Sequence, residues 1–117
     1  MKKSIFLLLG VVLICASFQV KKKKKAAPLP VCIQQLINKI KKEPVQNPPR
    51  SIYRYQYKKH TVYYVTPPCC DFFSEVFDST CKLLGHPDGG FTGRGDGSLP
   101  DFNKEKSAEK LVWKDNR

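Results

Sequence analysis

The strongest constraint in this chain lies between Ile52 and Val65. There, two runs rich in Tyr, Val and Ile alternate with period two on either side of Lys58-Lys59-His60. β-Branched and aromatic residues at every second position suit a pleated strand, and two such runs around a short polar break read as a hairpin. Strands are predicted over 52–57 and 61–65. A two-residue turn at Lys58-Lys59 sets Tyr57 opposite His60, Tyr55 opposite Val62 and Tyr53 opposite Tyr64. One hairpin face is then almost wholly aromatic and suited to packing on a helix, while Arg54, Gln56 and Thr61 turn the other way, towards water.

The helix for that face is sought upstream. Ile33, Leu36, Ile37 and Ile40 recur at the spacing of an amphipathic stripe, which predicts a helix over 31–42. Pro44 ends it, and Lys39, Lys41 and Lys42 place positive charge where a helix C-terminus favours cations. Downstream, residues 72–77 and 81–84 flank Asp78-Ser79-Thr80 as a second hairpin. Residues 101–110 are polar enough for a short helix, and Leu111-Val112-Trp113 reads as a closing strand. The expectation is one α+β domain over 31–117, with an N-terminal amphipathic helix on a small antiparallel sheet of four or five strands.

Ahead of this domain, Lys2 and Lys3 precede an apolar stretch over 5–16, the order of a secretory signal. The stretch is short for a bilayer span, which takes roughly 17–25 residues, so residues 1–20 are read as a signal peptide, with a retained anchor as the alternative. Residues 21–30 form a Lys-rich, Pro-rich linker. The chain is expected to be exported, or else held at a membrane surface reached through residues 5–25, with the lysines against anionic lipid. The formal charge of +11 suggests nucleic acid at first. Yet Lys2, Lys3 and the run 21–25 carry much of it, and residues 26–117 hold 14 basic against 10 acidic residues with no dominant basic face, so no nucleic-acid partner is expected.

Removing the leader leaves Cys32, Cys69, Cys70 and Cys81, an even count that favours disulfides in an exported chain. Four cysteines allow three pairings. A ring between adjacent Cys69 and Cys70 is unfavourable, so Cys32 is expected to bridge to one of them, tying the helix to the end of the first hairpin. A straight second hairpin would hold Cys81 away from Cys70, and a second bridge is not expected there.

Several strings carry a resemblance. Cys32-Ile33-Gln34, Glu43-Pro44-Val45, Asn47-Pro48-Pro49, Val62-Tyr63-Tyr64, Cys69-Cys70-Asp71, Pro87-Asp88-Gly89-Gly90, Gly95-Asp96-Gly97 and Leu111-Val112-Trp113 together resemble an uncharacterised family of small exported proteins and lipoproteins of Gram-negative bacteria. The resemblance covers about residues 32–115 and implies an exported single domain of unknown function with no catalytic residues to carry over. It also implies three departures: Asn-Gly is common in the family where this chain has Lys58-Lys59, and cysteines are common where it has Gly85 and Leu99. A bridge frequent in relatives is then missing or rearranged here, with Cys81 as the possible substitute.

Five of the seven glycines fall between Gly89 and Gly97. A loop this rich in glycine can bring backbone amides close to a ligand, but its spacing fits no nucleotide-binding motif. Asp88, Asp96 and Asp101 lack a calcium-loop spacing, and no C-x-x-C pair exists for zinc, so neither metal nor cofactor is expected. The Arg94-Gly95-Asp96 tripeptide is short enough to arise by chance. The function expected is binding of a protein or small ligand through Asp88, Gly89, Gly90, Arg94 and Asp96 and through the exposed hairpin edge, in a loop mobile until bound. The alternative is a hydrolase or thiol enzyme using Cys70 or His86.

Overall fold

The structure, a computed structural model, describes residues 27–117 together with Lys21, Lys23 and Lys25. The expected leader over 1–20, and most of the tether over 5–25, lie outside the described residues. No helix among the described residues is long and apolar enough to cross a membrane.

Helix α1 (Val31–Ile40) is followed by strands β1 (Ser51–Tyr57), β2 (His60–Val65), β3 (Glu75–Asp78) and β4 (Leu83–Gly85), a one-turn helix α2 (Phe102–Glu105) and β5 (Ser107–Lys114). All neighbours in the five-stranded sheet are antiparallel, in the order β4-β3-β2-β1-β5. The register of the first hairpin is the one its alternation predicts: Tyr57 faces His60, Tyr55 faces Val62 and Tyr53 faces Tyr64. Its turn places Lys58 at φ 47° and Lys59 at φ 65°, the paired positive values of the mirror-image turn that matches strand twist. That hairpin has no free edge, contrary to expectation, because β3 pairs with β2 and β5 with β1. The free edges belong to the short β4 and to β5, where the register shifts against β1 and Ala108 takes a positive φ; such irregularity discourages edge-to-edge association.

The tyrosine face does not receive α1. The helix lies on the opposite face, where Ile33 and Ile37 pack with Ile52, Tyr63 and Val65, backed by Phe77 and Trp113. The aromatic face instead gathers Tyr55, Tyr57, Val62 and Val76 around Phe102, with Tyr53, Tyr64, Leu84 and Leu99 at its margin. The hydroxyls of Tyr55, Tyr57 and Tyr64 are held by acceptors there, which an aliphatic helix stripe does not supply. The segment returning towards β5 supplies two, and β5 itself a third. Tyr64 donates to Asp88 at 2.9 Å, Tyr57 to Asp101 at 2.5 Å and Tyr55 to Glu109 at 2.5 Å. Phe102 sits edge-on to Tyr57 and Tyr55 and stacked on Tyr64, and the Lys106 ammonium lies 4.8 Å from the Tyr55 ring. Both faces of the sheet are therefore covered, one by a regular helix and the other by an irregular segment.

The cysteine pairing also differs from expectation: Cys32 bonds Cys81, and Cys69 bonds Cys70. Cys81 does not lie in a strand but in the β3–β4 turn. Asp78 shapes that turn by accepting from the backbone N–H groups of Thr80 and Lys82 at 2.8 and 2.9 Å. The turn reaches the end of the sheet over which the start of α1 passes, and Cys32 meets it there. Cys69 and Cys70 are left to each other.

The far end of α1 is closed from the other terminus of the domain. Arg117 donates to the carbonyls of Ile40, Lys41 and Glu43, and buried Asp115 holds the guanidinium at 2.8 Å. These are carbonyls that a helix end otherwise leaves without partners.

Candidate functional site

The glycine loop over 88–98 grows from the aromatic face and is fixed rather than free. Tyr64 holds the Asp88 carboxylate, while the Asp88 carbonyl accepts from the Ser74 backbone N–H at 3.1 Å. Further along, Gly90 donates to Phe72, Gly95 to Gly89 and Asp96 to His86 through backbone bonds. Asp96 takes the Ser98 backbone N–H at 2.9 Å and also its hydroxyl, which holds the carboxyl below its ordinary range. The amides expected to await a ligand are mostly spent within the loop and on the neighbouring Phe72, Ser74 and His86.

Its glycines answer to close packing. A Cβ on Gly95, at φ 70°, would meet the His86 carbonyl oxygen at 1.9 Å, and one on Gly89 would meet the Phe72 carbonyl oxygen at 2.4 Å. Gly95 is thus a folding residue. Gly93 has open space beside it.

What the loop presents is a side chain that the sequence reading passed over. Phe91 is 94% exposed, beside Gly90, whose backbone lies against the ring of Phe73. Phe73 and Phe72 are themselves exposed, and Arg94 is exposed on the same loop. A composition count treats phenylalanines as core, so no sequence signal separated Phe91 from Phe102. Three aromatic rings and a guanidinium on a braced surface can bury apolar area against a partner and pair with its acidic groups.

The residues of the enzymatic alternative are not brought together. Cys70 is bonded to Cys69 and offers no free thiol in this state. The Nδ1 of His86 donates to the Ser74 carbonyl at 2.7 Å, and the ring lies against Phe73. Asp88, Asp96 and Asp101 each serve a different local donor, the last also pairing with Lys58 at 2.7 Å. Lys58, followed by Tyr57, holds the Asp101 carboxyl below its ordinary range.

A family model described as a domain of unknown function, DUF6970, matches residues 38–115. The chain belongs to that family. The match begins inside α1, after Cys32, and runs through β5, so it takes in the whole sheet, the glycine loop and the exposed phenylalanines. No curated protein and no solved structure matches the chain.

Proposed function

We propose that this DUF6970 protein is an exported binding domain, placed in the periplasm or envelope of a Gram-negative cell, that meets a protein partner through the tip of loop 88–98. The observation carrying the reading is Phe91, 94% exposed on a loop whose backbone is hydrogen-bonded to Phe72, Ser74 and His86 and across itself. An exposed ring on a braced loop loses little conformational entropy when covered, which is the economy of a binding anchor. Export is supported by the charged-then-apolar order of residues 2–16 and by cysteines that pair, as they do in oxidising compartments.

The experiment places a photo-crosslinking amino acid at position 91, and separately at exposed Gln56, in cells that express the protein. A discrete adduct from position 91, absent from position 56 and absent when Arg94 is also replaced by Glu, supports the reading. Adducts at both positions, or lipid adducts alone, overturn it. In the second case the alternative of a membrane-surface protein tethered through residues 5–25 takes its place. Intact mass measurement of the same preparation reports whether residues 1–20 are removed.

A further inference from the structure

A cleft of about 250 Å³ opens between the C-terminal half of α1 and the segment leading into β3. Leu36, Ile40, Phe72 and Phe73 give it apolar walls, and it is closed by four charged side chains: Arg50, Lys39, Glu43 and Glu75. Arg50 is the unusual member, being only 6% exposed. Its Nε donates to the Thr66 carbonyl at 2.8 Å, which fixes the plane of the guanidinium. Its two terminal nitrogens make no hydrogen bond to any described residue, and neither glutamate comes within ion-pair distance of it. The residue as a whole is buried, yet its terminal nitrogens are not sealed off among the described residues and stay open to solvent; a carboxylate is the group whose geometry fills that fork with two parallel bonds.

Charge decides the rest of the ligand. A plain anion would meet Arg50 and Lys39 but also Glu43 and Glu75, and a plain cation would meet the reverse. The cleft has two groups of each sign, so it matches a molecule that carries both. We infer that this cleft is a binding site for a small zwitterion, an α-amino acid with an apolar side chain. Its carboxylate would lie on the Arg50 fork with Lys39 beside it, its ammonium between Glu43 and Glu75, and its side chain against Leu36 and the Phe72 and Phe73 rings. The volume is slightly below the usual range for drug-sized ligands and fits a molecule of amino-acid size. This site shares the Phe72 and Phe73 rings with the contact surface but does not use Phe91, and it goes beyond the binding role given to that loop.

The test is calorimetric titration of the purified full-length, oxidised chain with L-leucine, N-acetyl-L-leucine and L-leucinamide. The inference expects saturable binding of L-leucine and affinity at least about tenfold weaker for each blocked derivative, because each lacks one of the two charges. Arg50→Lys, which keeps the charge and loses the fork, should weaken L-leucine about tenfold or more, and exposed Lys39→Met about threefold, both at an unchanged melting temperature. Phe91→Ala should leave the affinity as it was, so the outcome is independent of the partner contact. Absence of saturable binding, or equal affinity for leucine and both derivatives, overturns the site. If Arg50→Lys loses stability, the three ligands on the unaltered chain, with Lys39→Met, still decide.

Discussion

The two faces of the sheet are covered by opposite means. On one, α1 lays aliphatic side chains onto Ile52 and Val65 and is pinned at its start by the Cys32–Cys81 bond and at its end by Arg117. On the other, a segment with one turn of helix is held by two tyrosine-to-carboxylate hydrogen bonds around a single buried phenylalanine, with a third to Glu109 of β5 beside them. Regular structure satisfies most of its own backbone and draws chiefly apolar area from the sheet, with charge confined to the Arg117–Asp115 clasp at its end. Irregular structure has to be fastened at named points, and those points carry charge. The difference teaches that the face bearing the proposed contact surface depends on directional bonds that pH and single-atom changes can reach, and the helix face depends chiefly on area.

The sharpest way to break that contrast is to remove the centre of each face. Phe102→Ala should cost about 3–5 kcal/mol and Ile33→Ala about 2–5 kcal/mol by denaturant unfolding, since both side chains are fully buried. A loss from Phe102→Ala far smaller than that from Ile33→Ala would mean that the irregular cover is not part of the cooperative fold. The disulfides come next. Cys32→Ala and Cys81→Ala should each cost about 2–4 kcal/mol, and equally, because both open the same loop of sequence separation 49. Cys69→Ala should cost much less, since a bond between neighbours closes no loop of consequence. Unequal losses from Cys32 and Cys81 would refute their pairing.

Smaller again is Tyr64→Phe, which removes one hydroxyl and leaves Asp88 without that donor. About 1–2 kcal/mol should be lost. Hydrogen exchange should quicken at Gly90, Gly95 and Asp96 and hold steady in α1; uniform quickening would show that the two covers are not separately fastened.

The last effect is one of pH. Asp101 has its folded pKa depressed, first by Lys58 and then by Tyr57, so its contribution is present above the unfolded carboxylate value of about 3.9 and is lost as pH falls through the lower folded value. Proton resonances of the Tyr57 ring should therefore shift in acid before those of the Ile33 methyls do, and Asp101→Asn should abolish the early phase. Simultaneous shifts at both residues would remove the distinction between the faces.

How far the sequence discloses this arrangement depends on whether a feature is local. The register of β1 and β2 is legible because period-two alternation and a two-residue turn leave one pairing, and α1 is legible because its stripe lies within ten residues. The face that α1 occupies is not legible, since tyrosines suit a core and Ile52, Tyr63 and Val65 make a second apolar face on the same strands. Cys81 could be paired only by knowing that the Asp78 turn carries it to the start of the helix. The candidate site follows the same rule: the glycine cluster marks an unusual loop, but whether its amides face outward or inward depends on Phe72 and His86, which it packs against. Arg50 follows Asn47-Pro48-Pro49 with nothing nearby to mark it, and only the fold shows that it is buried with its fork open.

The order of strands has a consequence in time. β1 is flanked by β2, which follows it at once, and by β5, which comes after every other strand. A chain emerging from one end can zip β1 to β2 and β3 to β4 early, yet α1 must wait for Val112 and Trp113 before its apolar stripe has a complete floor. Such long-range closure slows folding until the late segment is present. A polypeptide built this way becomes a finished solid only when β5 arrives.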